Sequence, residues 1–350
     1  MVYKILLFII MSCNACSSNK SALNRVSNSQ LPIVKQGWKG NYKIDNRFSQ
    51  DSMPASPPFW EVIQWKLSKN PQSHEKKQEN HTLHVTGLSQ IQYTQSDGIA
   101  WFGHSTCIIT IGGVCLITDP VLGNIPFAQR KVGTPCIADS LTNLDYILLS
   151  HDHRDHLDKK SIDALCSHNP PIELLAPLNT SSLFTAKKYN NLHIQEAGWY
   201  QEYNIDEDIR IFFVPSKHWG RRRLFDFNTR LWGSFVIQGE DITIFFAGDT
   251  GYDAFFTEVY DMFGPVDYCI LPIGAYAPQN LMSESHMTPE EAVRAMQDLH
   301  AQYIVPIHYG TFDLSDEPMG EPIQRLKSSL QKDSLHTQLI ELHIGEWYSF

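Results

Sequence analysis

Leu148-Leu149-Ser150-His151-Asp152-His153-Arg154-Asp155-His156 ends a short apolar run in four candidate metal ligands: His151, His153, Asp155 and His156. Side chains alternate along an extended chain, so His151, His153 and Asp155 share one side, and a turn after Asp155 brings His156 beside them. One segment thus offers donors to two adjacent cation positions. Four donors do not complete two coordination spheres. The missing ones stand downstream: His218 after the run 211–214, Asp249 after 242–246, and His308 after 303–307. Each follows an apolar run, at the place where open α/β sheets gather their binding residues. Imidazole and carboxylate suit Zn2+ first, with iron or manganese as alternatives. One histidine after a strand is ordinarily a surface or core residue; HxHxDH with three such partners is a much stronger signal.

The rest of the pattern is that of a layered α/β domain. The runs at 146–149, 211–214, 242–246, 268–271 and 303–307 are short and continuously apolar, as expected of strands covered on both faces. Helical segments lie between several of them. Thr288-Pro289-Glu290-Glu291 reads as a capping box with Pro in the first turn, and Ala292, Val293, Met296 and Leu299 form its buried stripe. Asp158 is a natural N-cap just after the histidine segment. Residues 99–111 and 114–118 read as a hairpin turning at Gly112-Gly113, a register that puts Cys107 and Cys115 on opposite faces. The apolar spacing of 59–67 predicts a helix packed on the main domain.

Composition narrows the classes. The chain has 350 residues, 42% apolar and 19% charged, which excludes a disordered scaffold. A net charge of −10 argues against nucleic acid as partner. The seven cysteines are scattered, with no disulfide framework and no zinc ribbon. Residues 1–12 read as a signal peptide, and Ile10-Met11-Ser12-Cys13 resembles the lipobox of bacterial lipoproteins. That implies a bacterial cell-envelope protein anchored through an acylated Cys13, with plain secretion as the alternative. Residues 13–30, rich in Ser and Asn, read as a flexible tether, and 31–350 as one folded domain with an N-terminal extension over about 31–98. Nothing after the leader approaches the length of a membrane helix. No obligate protein partner is called for, and a homodimer remains open.

HxHxDH with the later His, Asp and His resembles the metallo-β-lactamase superfamily. Further words narrow the likeness: Trp101-Phe102-Gly103-His104-Ser105-Thr106, Leu116-Ile117-Thr118-Asp119-Pro120, Lys217-His218-Trp219, Phe246-Ala247-Gly248-Asp249-Thr250-Gly251-Tyr252 and Pro306-Ile307-His308-Tyr309-Gly310-Thr311-Phe312. They are similar to the branch of N-acyl-phosphatidylethanolamine-hydrolysing phospholipase D and its bacterial relatives. The resemblance implies a four-layer αββα sandwich with a dinuclear site. His151, His153 and His218 would hold one metal, and Asp155, His156 and His308 the other, with Asp249 bridging. Two divalent cations, two aspartates and a bridging hydroxide leave about +1 in the cleft, which favours an anionic phosphodiester. The implied activity is attack of that hydroxide on phosphorus in a phospholipid at a membrane surface.

Lactam hydrolases of the superfamily carry Cys where Asp249 stands, which disfavours antibiotic hydrolysis. Lactonases and thioesterases share the ligand set, so an acyl hydrolase is the competing reading, and a non-catalytic surface lipoprotein is a third. Asp155, Asp249 and His286 are the candidate catalytic residues, His286 matching a non-ligand active-site histidine of the branch. Arg221-Arg222-Arg223 suit phosphate or an anionic lipid surface. His104 is expected in the core or behind the ligands.

Overall fold

The structure, a computed structural model, describes residues 23–49, 59–79, 81–88, 90–185, 188–189, 192–205, 208–335 and 338–350. It opens with a small antiparallel sheet of β1 (Leu23–Val26), β2 (Asn41–Ile44) and β3 (Arg47–Ser49), followed by α1 (Phe59–Leu67), α2 (Ser73–Gln78) and α3 (Gln90–Gln95). One half of the sandwich comes next: β4 (Gly98–Trp101), β5 (Cys107–Ile111), β6 (Val114–Thr118), β7 (Tyr146–Leu148), α4 (Lys159–His168), β8 (Glu173–Pro177) and β9 (His193–Ala197). The other half holds β10 (Gln201–Glu202), β11 (Arg210–Val214), β12 (Ser234–Gln238), β13 (Thr243–Phe246), α5 (Phe255–Phe263), β14 (Tyr268–Pro272), α6 (Gln279–Met282), α7 (Pro289–Asp298), β15 (Tyr303–Ile307) and α8 (Glu321–Lys332). The last strand, β16 (Trp347–Ser349), returns to pair with β4.

Two large sheets result, a seven-stranded one ordered β16-β4-β5-β6-β7-β8-β9 and a six-stranded one ordered β10-β11-β12-β13-β14-β15. They pack through apolar faces that include Ile109, Leu116, Leu148, Phe213, Phe235 and Phe246, all buried. Each such side chain contributes roughly 1.5–3 kcal/mol on burial. On its other side the seven-stranded sheet is covered by α4, whose Ile162 and Leu165 join Ile117, Ile147 and Leu174. Against the six-stranded sheet lie α5, α7 and α8, through Phe256, Val293, Met296 and Leu326. This is the αββα architecture.

Local signals match their elements. The Thr288 hydroxyl accepts from the Glu291 amide at 3.2 Å and the Glu291 carboxylate from the Thr288 amide at 2.9 Å, which closes the capping box of α7. Asp158 caps α4 by accepting from the Lys160 and Ser161 amides. Gly112 and Gly113 have φ of +59° and +79°, and Thr110 pairs with Cys115, so the two thiols enter different cores.

Three expectations need correction. The stretch 99–111 is two strands, because Gly103 (φ +95°) and His104 (φ +52°) turn the chain between β4 and β5. The tether is shorter than expected: 23–26 pair with β2, and the Asn28 amide and side chain bond Gln201 and Glu196 at 2.9 and 2.8 Å. Backbone pairing orders a segment in which only Leu23 and Val26 of 23–26 are apolar. The helix at 59–67 forms with the expected bounds but only part of its apolar face is covered: Val62, Ile63 and Trp65 are half-buried, whereas Trp60 is 75% and Leu67 82% exposed. Residues 1–12, read from sequence as a signal peptide, and 13–22, which include Cys13, lie outside the described residues. No described helix is long and apolar enough to cross a membrane.

Candidate metal centre

Strands β13, β14 and β15 run parallel, β12 opposes β13, and β11 opposes β12. The carboxyl ends of β11, β13 and β15 therefore lie on one rim, and His218, Asp249 and His308 sit just beyond them. In the other sheet β7 delivers 151–156 to the same rim. The segment turns sooner than an extended reading allows: the His153 carbonyl accepts from the His156 and Leu157 amides at 3.3 and 2.9 Å. Asp155 and His156 thus separate from His151 and His153.

All seven residues meet, in two groups. His151 Nε2 and His218 Nε2 lie 2.9 and 3.2 Å from His153 Nδ1, and 3.9 and 3.8 Å from Asp249 Oδ2. In the second group His156 Nε2 is 3.8 Å from Asp155 Oδ2 and 3.1 Å from Asp249 Oδ2, while His308 Nε2 is 3.0 Å from Asp249 Oδ1. A zinc–nitrogen bond of about 2.0–2.1 Å gives a tetrahedral edge of roughly 3.4 Å, in the middle of these separations. His156 Nε2, His308 Nε2 and Asp249 Oδ1 are buried without a hydrogen-bond partner. Buried polar atoms are normally satisfied, so atoms facing one another this way fit a cation between them.

Behind the donors a second set of bonds decides which nitrogen is free. His156 Nδ1 donates to Asp119 Oδ2 at 2.8 Å, and His218 Nδ1 to the Ser285 carbonyl at 3.1 Å. The Ser150 hydroxyl gives its one proton to Asp119 Oδ2 at 2.6 Å, so at 2.9 Å it can only accept from His151 Nδ1. With Nδ1 committed in each of these three imidazoles, Nε2 is the nitrogen aimed at the centre. Asp119 is completely buried and also accepts from the Ser150 amide. His104 Nε2 donates to Asp155 Oδ2 at 3.1 Å, and its ring centre lies 4.0 Å from that of His308, with the rings tilted by 37°.

The electrostatics follow from burial and close charges. Burial, helped by neighbouring imidazoles, pushes His151 well below its usual pKa; it also pushes His218 well below, against Asp249. Burial would raise Asp249, yet His156 and His308 outweigh it and hold the carboxylate well below its usual range. Burial opposes charge on His156 too, but Asp249, Asp155 and Asp119 together lift it well above its usual value. Burial takes His104 down to about 3 and His286 down to about 4.

His286 reaches the centre from the turn after α6. Its Nδ1 is buried, unpartnered and 3.9 Å from Asp249 Oδ2. Arg222 faces inward, donating to the carbonyls of Asp152 and Leu157 at 3.1 and 2.8 Å, while Arg221 and Arg223 are exposed. Of the three arginines that suit phosphate or an anionic lipid surface, Arg222 is engaged by the chain itself. Residue patterning missed the roles of Asp119 and Ser150. The available signal was position: Asp119 follows a fully buried strand, as His151 does.

A family model described as a beta-lactamase superfamily domain matches residues 115–309. An uncharacterized protein of Mycobacterium tuberculosis is 36% identical over 244 residues, 67% of this chain; the chain spans 64% of the length of that relative. N-acyl-phosphatidylethanolamine-hydrolyzing phospholipase D 1 of Caenorhabditis elegans is 30% identical over 305 residues, 81% of this chain and 86% of that protein. Among solved structures, the metallo hydrolase Igni18 of Ignicoccus hospitalis matches with a TM-score of 0.55 and 18% identity over 73% of this chain and 99% of that one. The chain belongs to the metallo-β-lactamase superfamily.

Proposed function

We propose that the chain is a dinuclear phosphodiesterase of the phospholipase D type, acting on N-acyl-phosphatidylethanolamine or a related glycerophospholipid. The observation that carries this reading is the place of Asp249, whose carboxylate lies between the His151–His153–His218 group and the Asp155–His156–His308 group. The likeness to the nematode phospholipase supports the substrate class.

His151, His153 and His218 would hold one cation and Asp155, His156 and His308 the other, with Asp249 shared. Zn2+ is the first candidate, and iron or manganese also suits the donors. Such a pair supplies Lewis acidity toward a phosphoryl oxygen and brings the pKa of water toward neutrality. The chain's own part is orientation. Asp119, Ser150 and the Ser285 carbonyl fix the imidazole tautomers, and His104 fixes Asp155. Trp219 lies edge-on to the His153 ring at 4.3 Å and is tied to Ser285 Oγ, which walls off water on that side. His286, neutral at pH 7, offers one N–H and one lone pair, so it positions a phosphate oxygen or passes a proton to the departing headgroup. A water oxygen bonds to phosphorus, the bond from phosphorus to the headgroup oxygen breaks, and phosphatidic acid and the headgroup alcohol leave.

The test is metal quantification on purified protein, then mass spectrometry of products from a mixed phospholipid extract beside a lactone and thioester panel. Release of N-acylethanolamine with phosphatidic acid supports the reading. Turnover of the acyl panel alone replaces it with an acyl hydrolase. A chain that holds no metal and turns over nothing replaces it with a binding lipoprotein, and palmitate labelling that depends on Cys13 tests the envelope anchor.

A further inference from the structure

Between β11 and β12 the chain carries Arg221-Arg222-Arg223-Leu224-Phe225 beside the metal rim. Leu224 and Phe225 are 72% and 83% exposed, an uncommon pair to leave in water on adjacent positions. The loop is nevertheless pinned. Arg222 donates into the carbonyls of Asp152 and Leu157, and Asp226 Oδ1 accepts from the Arg222 and Arg223 amides at 3.0 and 2.6 Å. Asp226 also pairs with Arg230, whose guanidinium holds the buried Asp152 inside the HxHxDH segment. A rigid support thus presents two apolar side chains next to the proposed ligands.

The charge around them has one sign. Arg154 is exposed and donates to the Arg222 carbonyl at 3.2 Å, which ties a third exposed arginine to the segment that carries Arg221 and Arg223. The nearby carboxylates are otherwise engaged: Asp158 caps α4, Asp163 pairs with Lys188, and Asp226 and Asp152 take Arg230. Among the described residues no carboxylate forms an ion pair with Arg154, Arg221 or Arg223. In a chain of net charge −10 this is a local positive surface with an apolar tip. A nucleic acid would use the charge but not an aliphatic Leu224; the headgroup layer of an anionic bilayer uses both.

We propose that Arg154, Arg221 and Arg223 with Leu224 and Phe225 form a docking element for an anionic phospholipid surface, setting the metal rim against the bilayer. It deepens the phospholipase reading and rests on it for the purpose of docking. The test uses the full chain as Cys13→Ser, so that no acyl group contributes, and measures co-sedimentation with vesicles of phosphatidylcholine alone or mixed equally with phosphatidylglycerol. The unaltered loop binds the mixed vesicles at least tenfold more strongly. Each arginine near such a surface is worth about fivefold, so Arg221→Gln with Arg223→Gln lowers that binding by more than tenfold. Leu224→Ser with Phe225→Ser removes the binding that survives high salt. Both pairs still hydrolyse detergent-dispersed N-acyl-phosphatidylethanolamine. Equal binding to the two vesicle types, or vesicle binding unchanged in both pairs, overturns the proposal. Selective binding by a chain that hydrolyses no phospholipid leaves the docking element standing and removes the phospholipase reading.

Discussion

Asp119 Oδ2 lies 2.8 Å from His156 Nδ1, and neither side chain has any exposed surface. The same carboxylate reaches His151 through the Ser150 hydroxyl, so one aspartate orients a donor in each of the two groups. Asp119→Asn keeps the volume and removes the charge. It should weaken metal binding by about 10–100-fold, as loss of an outer partner does elsewhere. Competition against a chromophoric chelator reads the change, and an unaltered affinity would refute the role.

Asp249 and His286 separate holding metal from using it. Asp249→Ala removes the shared carboxylate, so bound metal and turnover should fall together. His286→Ala should keep full metal content while kcat drops by about 10²–10⁴-fold, the usual worth of a positioned proton-transfer group. Metal analysis beside steady-state kinetics distinguishes the two; metal loss from His286→Ala would contradict this division.

Metal loading should expel a proton. In the metal-free chain the carboxylates of Asp249, Asp155 and Asp119 keep His156 protonated at pH 7. A cation on Nε2 needs the neutral ring, so about one proton leaves for each His156 loaded. Titration calorimetry in buffers of differing ionisation enthalpy measures that number. The sign also fixes the pH trend: affinity rises with pH until it passes the raised pKa of His156, then levels off. No proton release at pH 7 would show that His156 is already neutral.

The ion pair of Arg230 with Asp152 is buried at 6% and 1% side-chain exposure, and Asp152 Oδ1 has no other partner. Arg230→Met leaves that carboxylate alone in the interior. The expected cost is about 3–5 kcal/mol, visible as a lower urea midpoint. Asp152→Asn in the same background should recover part of it; failure to do so would place the loss in packing instead.

Much of this centre could be read before any coordinates. His151, His153, Asp155, His156, His218, Asp249 and His308 stand out because each follows an apolar run, and strand ends are where a sheet makes its sites. The grouping was less legible, since it depends on a turn at His153 that no turn residue marks. Asp119 and Ser150 were invisible as a pair: their meaning is a 2.6 Å contact between neighbouring strand ends, and spacing along the chain carries no trace of it. His104 needed the left-handed bend at Gly103-His104 to reach Asp155. Helical periodicity gave the bounds of α1 but could not reveal that Leu67 would stand 82% exposed, because period reports a face and not how much of it is covered. The order in β1 came from main-chain pairing, to which composition is blind.

His151, His153, Asp155 and His156 hang from the seven-stranded sheet, and His218, Asp249 and His308 from the six-stranded one. Any cation seated among them is a bolt through both halves of the molecule. Its binding energy is then also clamping energy: at 100-fold excess of free metal over Kd each bolt adds about 2.7 kcal/mol against unfolding. Starved of metal, such a chain would lose mechanical integrity along with its chemistry, and the supply of a trace element would govern how long it survives proteolysis.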